Sequence, residues 1–154
     1  MMGDEMTAND QVDGQLVLRT DGASRGNPGP AAAGIVIERA DGETLVRLGQ
    51  YLGEMPNNQA EYRALILGLR AVAEHNPSSV IVYMDSELVV RQMTGIYQVR
   101  DATLRMLYQE AQTLVQALPQ VSFTHVRRAQ NATADRLANQ ALDKQQREVR
   151  QQSG

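Results

Sequence analysis

Val80-Ile81-Val82-Tyr83-Met84-Asp85 is a short apolar run, rich in β-branched residues, that ends on an acid. A run of this length and composition predicts a strand covered on both faces, the position of a central parallel strand in an α/β sheet. Upstream, Gln15-Leu16-Val17-Leu18-Arg19-Thr20-Asp21 has the same form: a strand closing on Asp21, stopped by the glycine- and proline-rich GASRGNPGP that follows. Between the two, AAAGIVIERADGETLVRLGQYL holds two β-rich stretches about Asp41-Gly42, a hairpin signal. The first three strands therefore form an antiparallel meander. After Pro56, the three- and four-residue spacing of Ala64, Leu65, Gly68, Leu69 and Val72 predicts a helix, with Asn57 or Asn58 as its cap and Asn76-Pro77 as its stop. Ser86 to Thr94 reads as a short helix opened by Asp85 or Ser86, and Ala102 to Leu118 as a longer one ended by Pro119. Residues 121–127 (VSFTHVR) form a last strand and Ala132 to about Gln146 a last helix, with Leu137, Ala138, Ala141 and Leu142 inward. The order is β β β α β α α β α, a mixed sheet whose later helices are crossovers.

The chain has 154 residues, 42% hydrophobic and 21% charged, which fits one domain with one core. Residues 15–146 are the predicted domain, between an acidic, disordered leader at 1–14 and a polar tail at 147–154. Without cysteine, disulfide scaffolds, thiol nucleophiles and cysteine zinc sites are excluded. No apolar run is long enough for a membrane span and no basic-then-apolar leader precedes the first strand, so the expectation is a soluble cytoplasmic protein. The net charge of −3 argues against a nucleic-acid partner until its position is considered. Asp4, Glu5, Asp10 and Asp13 all lie in the leader, so the rest of the chain sets fifteen basic against fourteen acidic residues.

Asp21 and Asp85 close adjacent strands at the carboxyl edge, where ligands bind in open α/β sheets. Singly, each fits a turn or cap. As a pair they repel unless a cation or a proton lies between them. Glu61, in the first helical turn beyond Pro56, points back towards the same edge, although alone it also fits a dipole partner. Asp135, one turn into the last helix, is turned partly towards packed surface by its spacing from Ala138 and Leu142. Four carboxylates without a histidine cluster suit hard cations of the magnesium or manganese type.

Four ordered motifs resemble the type 1 ribonuclease H family: T-D-G-A-S-R-G-N-P-G-P-A at 20–31, N-N-Q-A-E-Y at 57–62, Y-M-D-S at 83–86 and H-V-R-R-x-x-N-x-x-A-D-x-L-A at 125–138. The resemblance spans roughly residues 15–143. It implies a ribonuclease H-like fold, a five-stranded mixed sheet of order 3-2-1-4-5 flanked by helices. It also implies an endonuclease that hydrolyses the RNA strand of RNA/DNA hybrids with two Mg2+ ions, or Mn2+. No obligate protein partner is evident in the sequence, and the expectation is a monomer. The family's metal acids fall on Asp21, Glu61, Asp85 and Asp135. Its substrate contacts fall on Asn27, Asn57 and Asn58, on the backbone at Gly22 and Ala23, and more weakly on Ser86 and Asn131. Arg25, Arg63, Arg127 and Arg128 are candidates for phosphate.

The sequence also departs from the pattern. Glu87 stands where some members have glutamine. Only ten residues separate His125 from Asp135, too few for the mobile histidine loop of many bacterial members, and His125 reads as part of the last strand. Gly95 to Leu104 is too short for a basic, tryptophan-bearing protrusion; Tyr97, Arg100 and Arg105 are the nearest substitute. The rival readings are a hybrid-binding module that does not hydrolyse, an integrase- or resolvase-type enzyme sharing the fold, and a structural adaptor.

Overall fold

The computed structural model describes residues 14–153. The expected disorder of the leader therefore lies almost wholly outside the described residues. Strands β1 (Gln15–Ser24), β2 (Gly29–Arg39) and β3 (Thr44–Met55) form the meander, followed by helix α1 (Asn57–Ala73) and strand β4 (Ser79–Met84). Helices α2 (Glu87–Met93) and α3 (Ala102–Gln116), strand β5 (Val121–His125), a 3-10 turn at Arg128–Asn131 and helix α4 (Ala132–Ser153) complete the chain. The sheet order is β3-β2-β1-β4-β5, as expected. β1 pairs antiparallel with β2 and parallel with β4, with Thr20 opposite Met84, so Asp21 and Asp85 leave the same edge.

Side chains alternate along the strands, which divides the core in two. Ile35 and Ile37 of β2 join Leu16, Leu18, Val80, Val82 and Met84 beneath Leu65, Leu69 and Val72 of α1 and Leu104 and Leu107 of α3. On the other face Ala32 packs with Ala138 and Leu142 of α4. The small residues of β2 are required there: a Cβ at Gly34 would run into the Ala134 carbonyl, so α4 lies directly on the strand backbone. That close seat sets where Asp135 emerges, one residue further on.

Several local expectations need correction. β4 alternates between buried and half-buried residues, because Ile81 and Tyr83 face the less covered side, with the Arg19 guanidinium 4.7 Å from the Tyr83 ring. Neither Asn57 nor Asn58 caps α1; Pro56 holds the cap position and no side chain accepts there. Ser86 does cap α2, accepting from the Val89 amide, and Asp101 caps α3 through Leu104. β5 ends at His125, two residues early, because the chain tightens into the 3-10 turn. α4 does not fray at Gln146 but continues to Ser153. Arg25 fastens the middle of this helix, its guanidinium meeting Asp143 Oδ1 at 2.8 Å and Gln146 Oε1 at 3.0 Å, and further on Val149 and Arg150 line a cavity with Pro30, Tyr51 and Glu54.

Candidate metal centre

At the carboxyl edge of the sheet a cavity of about 580 Å³ is lined by Asp21, Glu61, Asp85 and Asp135. The two strand acids arrive because β1 and β4 run parallel side by side. Glu61 arrives because α1 crosses directly above β1. A Cβ at Gly22 would run into the Ala60 carbonyl oxygen, so only glycine admits the helix so close. The Gly22 N–H then donates to Glu61 Oε1 over 2.8 Å and fixes the carboxylate. Oxygens of Asp21, Glu61 and Asp85 lie within 4.8 Å of one another, close enough to share a cation. Asp135 stands outside that trio but lines the same cavity, near enough to Asp21 to raise its proton affinity.

Asp21 is 5% exposed and Glu61 6%, which makes their charges costly. Burial above all, then repulsion from Glu61 and Asp85 and the contact with Asp135, pushes Asp21 up to about 9 from an ordinary 3.8. Burial likewise pushes Glu61 up to about 8 from 4.5, against the opposing pull of the Gly22 hydrogen bond and the Arg128 charge. Arg128 Nε stands 4.0 Å from Asp85 Oδ2, but this arginine is 86% exposed and too solvated to neutralise the cluster. Buried oxygens that repel each other and have no strong internal counterion fit a hard divalent cation.

The proposed substrate contacts divide into three groups. Gly22, Ala23, Asn57 and Ser86 line the cavity. Asn27 sits on the exposed β1–β2 hairpin and accepts the Asn57 amide at 3.0 Å through Oδ1, so the two loops form one rim. Asn58 is half-buried in α1 and is not part of the cavity wall. Asn131 is 1% exposed, and its Nδ2 donates to the Thr20 carbonyl at 2.8 Å. It braces β1 against the turn that leads into α4.

Of the candidate phosphate arginines, Arg127 and Arg128 line the cavity. Arg25 is instead turned onto α4, and Arg63 stands beside a separate cavity of about 230 Å³ with Arg70. His125 is exposed at the end of β5 and faces the main cavity, as do Glu87 and Leu88. Glu87 also pairs with Arg91 at 2.8 Å. Tyr97, Arg100 and Arg105 share another cavity of about 430 Å³, with the Arg91 guanidinium 5.6 Å from the Tyr97 ring. Sequence reasoning missed Asn139, which lines the main cavity and donates to Asp135 Oδ1 at 3.2 Å. Its four-residue spacing from Asp135 on one helix was the available signal.

A family model described as reverse transcriptase-like matches residues 19–141. Ribonuclease HI of Halobacterium salinarum is 44% identical over 141 residues, which are 90% of this chain and 71% of that protein. The crystal structure of RNase H1 from the same archaeon superimposes with a TM-score of 0.83 at 44% identity, covering 85% of this chain and 99% of that one. A bifunctional protein of Mycobacterium tuberculosis is 45% identical over 130 residues, 84% of this chain; the chain spans only 36% of that protein's length. LC11-RNase H1, solved in complex with an RNA/DNA hybrid, matches with a TM-score of 0.81 at 42% identity over 84% of this chain and 97% of that one.

Proposed function

The chain belongs to the type 1 ribonuclease H family, and from that premise we propose that it is an endonuclease hydrolysing the RNA strand of RNA/DNA hybrids, with Asp21, Glu61, Asp85 and Asp135 holding two Mg2+ ions. The observation that carries this reading is the convergence of the Asp21, Glu61 and Asp85 oxygens within 4.8 Å in a cavity that Asp135 also lines. Divalent ions bound there, Mg2+ or Mn2+, would activate a water and stabilise the in-line phosphoryl transition state.

The chain's own residues supply the rest. The Gly22 N–H holds Glu61 in one orientation, so its carboxylate is preorganised rather than recruited. Asn27 and Asn57, linked across the rim, present short polar groups to a wide minor groove whose 2′-hydroxyls identify the RNA strand. The Gly22 and Ala23 backbone and Ser86 add polar contacts beside the acids. Arg127 and Arg128 offer positive charge to phosphates near the scissile bond. All four acids come from one chain, which supports action as a monomer. The lack of cysteine fits a cytoplasmic setting, and no helix among the described residues is long and apolar enough to cross a membrane.

The deciding experiment is cleavage of a hybrid labelled in the RNA strand, with DNA duplex and RNA duplex as controls, in Mg2+ and in chelator. Cuts at internal RNA positions of the hybrid alone, dependent on Mg2+ and abolished by Asp85→Asn, are expected. Hybrid binding without cleavage in Mg2+ would favour the non-hydrolytic module, and cleavage of DNA duplex an integrase- or resolvase-type activity.

A further inference from the structure

Asn139 connects two parts of the site that the proposed function treats separately. On one side its Nδ2 donates to Asp135, at 3.0 Å to the backbone carbonyl and 3.2 Å to Oδ1. On the other its Oδ1 accepts from Arg25 Nη2 at 3.2 Å, and its backbone carbonyl receives the same nitrogen at 3.2 Å. Arg25 belongs to the β1–β2 hairpin, where its own N–H donates to the Pro30 carbonyl at 2.8 Å, and the same hairpin carries Asn27. Asp143, one helical turn beyond Asn139, meets Arg25 at 2.8 Å. The arginine is thus fastened by three α4 residues, Asn139, Asp143 and Gln146. A partly buried, forked guanidinium holding several acceptors loses little further freedom and transmits position well.

We propose that Asn139 is a positioning residue: it locks the Asp135 carboxylate from within α4 and ties it, through Arg25, to the hairpin that presents Asn27 to the substrate. Asn139 needs no contact with the reacting phosphate for this role. Its amide supplies the donor that orients Asp135 and the acceptor that Arg25 requires, a dual capacity that aspartate and alanine both lack. The hairpin and the fourth acid then hold one relative position before substrate arrives. Groups that orient a metal ligand in this way commonly change metal affinity or activity by tenfold or more when removed.

The inference rests on the metal-site reading, so the test begins with wild type: calorimetric titration of Mg2+ without hybrid, then kcat and KM for hybrid cleavage. Asn139→Ala preserves helix propensity and so keeps α4. It is expected to weaken Mg2+ binding about tenfold and to lower kcat by a similar factor. Arg25→Gln leaves Asn139 in place; it is expected to raise KM for hybrid and to weaken Mg2+ binding by less than Asn139→Ala does. Because Arg25 reaches Asp135 through Asn139, the double variant should bind Mg2+ no more weakly than Asn139→Ala alone. Additive losses in the double variant, or unchanged Mg2+ affinity in either single variant, would overturn the inference even if melting temperatures fall. A wild type that neither binds Mg2+ nor cleaves hybrid would overturn the metal-site reading and this inference with it.

Discussion

The Gly22 backbone N–H donates to Glu61 Oε1 at 2.8 Å, in the same place where any Cβ on residue 22 would strike the Ala60 carbonyl. The hydrogen bond and the steric limit have one cause: α1 lies against β1 with no room for a side chain between them. Gly22→Ala must push α1 away and carry Glu61 with it. A forced shift in a packed core costs about 1–3 kcal/mol. A displacement of the catalytic groups by about 1 Å lowers turnover roughly a hundredfold. Hybrid cleavage and thermal melts measure both; wild-type turnover in a folded Gly22→Ala protein would show that Glu61 does not depend on this contact.

Asn131 offers a second case in which a polar group is engaged by the fold itself. Its Nδ2 supplies the Thr20 carbonyl, one residue before Asp21, with a donor at 2.8 Å inside the protein. Asn131→Ala removes a buried donor from that carbonyl, a loss of about 1 kcal/mol. Denaturant unfolding should show it as a lower midpoint with an unchanged slope. If Asn131 instead contacted hybrid, KM would rise with stability unaltered.

These two residues mark the boundary of what the sequence made legible. The convergence of Asp21 with Asp85 and the approach of Glu61 follow from local patterns, apolar runs that end on acids and a helix phase, whereas the full strand order comes only from the resemblance of the four motifs to a family. Those patterns are set by burial, which leaves a periodic trace along the chain. The role of Asn131 leaves no such trace, because a buried amide and a substrate-facing amide look alike until the Thr20 carbonyl is found beside it. The partners of Arg25 are hidden for a related reason. An arginine in a glycine-rich loop suggests a free cation, yet its partners Asn139, Asp143 and Gln146 lie more than a hundred residues away in sequence. The length of α4 was underestimated because its last turns are polar. Composition alone suggests fraying there, and the neighbours that Val149 and Arg150 find in Pro30, Tyr51 and Glu54 are tertiary.

His125 ends β5, and the next amide, Val126 N–H, donates to the Met84 carbonyl at 2.9 Å. A histidine anchored on both strands at the cavity wall lacks the travel of a loop-borne proton carrier. His125→Ala is therefore expected to slow turnover by less than about tenfold, below the roughly 10²–10⁴ usually contributed by a general acid or base. Single-turnover cleavage over a range of pH provides the check. A hundredfold loss with unchanged hybrid affinity would assign His125 the proton transfer after all.

The metal-free protein should be strained by its own acids. The folded-state pKa of Asp21 is raised to about 9 and that of Glu61 to about 8, chiefly by burial, from unfolded values of 3.8 and 4.5. Between those unfolded and folded values the native chain binds more protons than the unfolded one. Stability therefore falls as pH climbs through that window, and the strain is absent in acid below the unfolded values. Asp21→Asn removes one of these acids while keeping its shape. In chelator at neutral pH the variant should be more stable than wild type, by at least about 1 kcal/mol on the scale of 1.4 kcal/mol per pKa unit. Its stability should also decline less steeply with rising pH. Mg2+ binds the folded, four-acid site and so should raise the melting temperature of wild type by more than that of Asp21→Asn. Melts of both proteins across pH 5 to 9, in chelator and in saturating Mg2+, separate the terms. If the variant melts below wild type in chelator, or gains equally from Mg2+, then burial of Asp21 is not opposed by its charge and the acids do not act as one cation site.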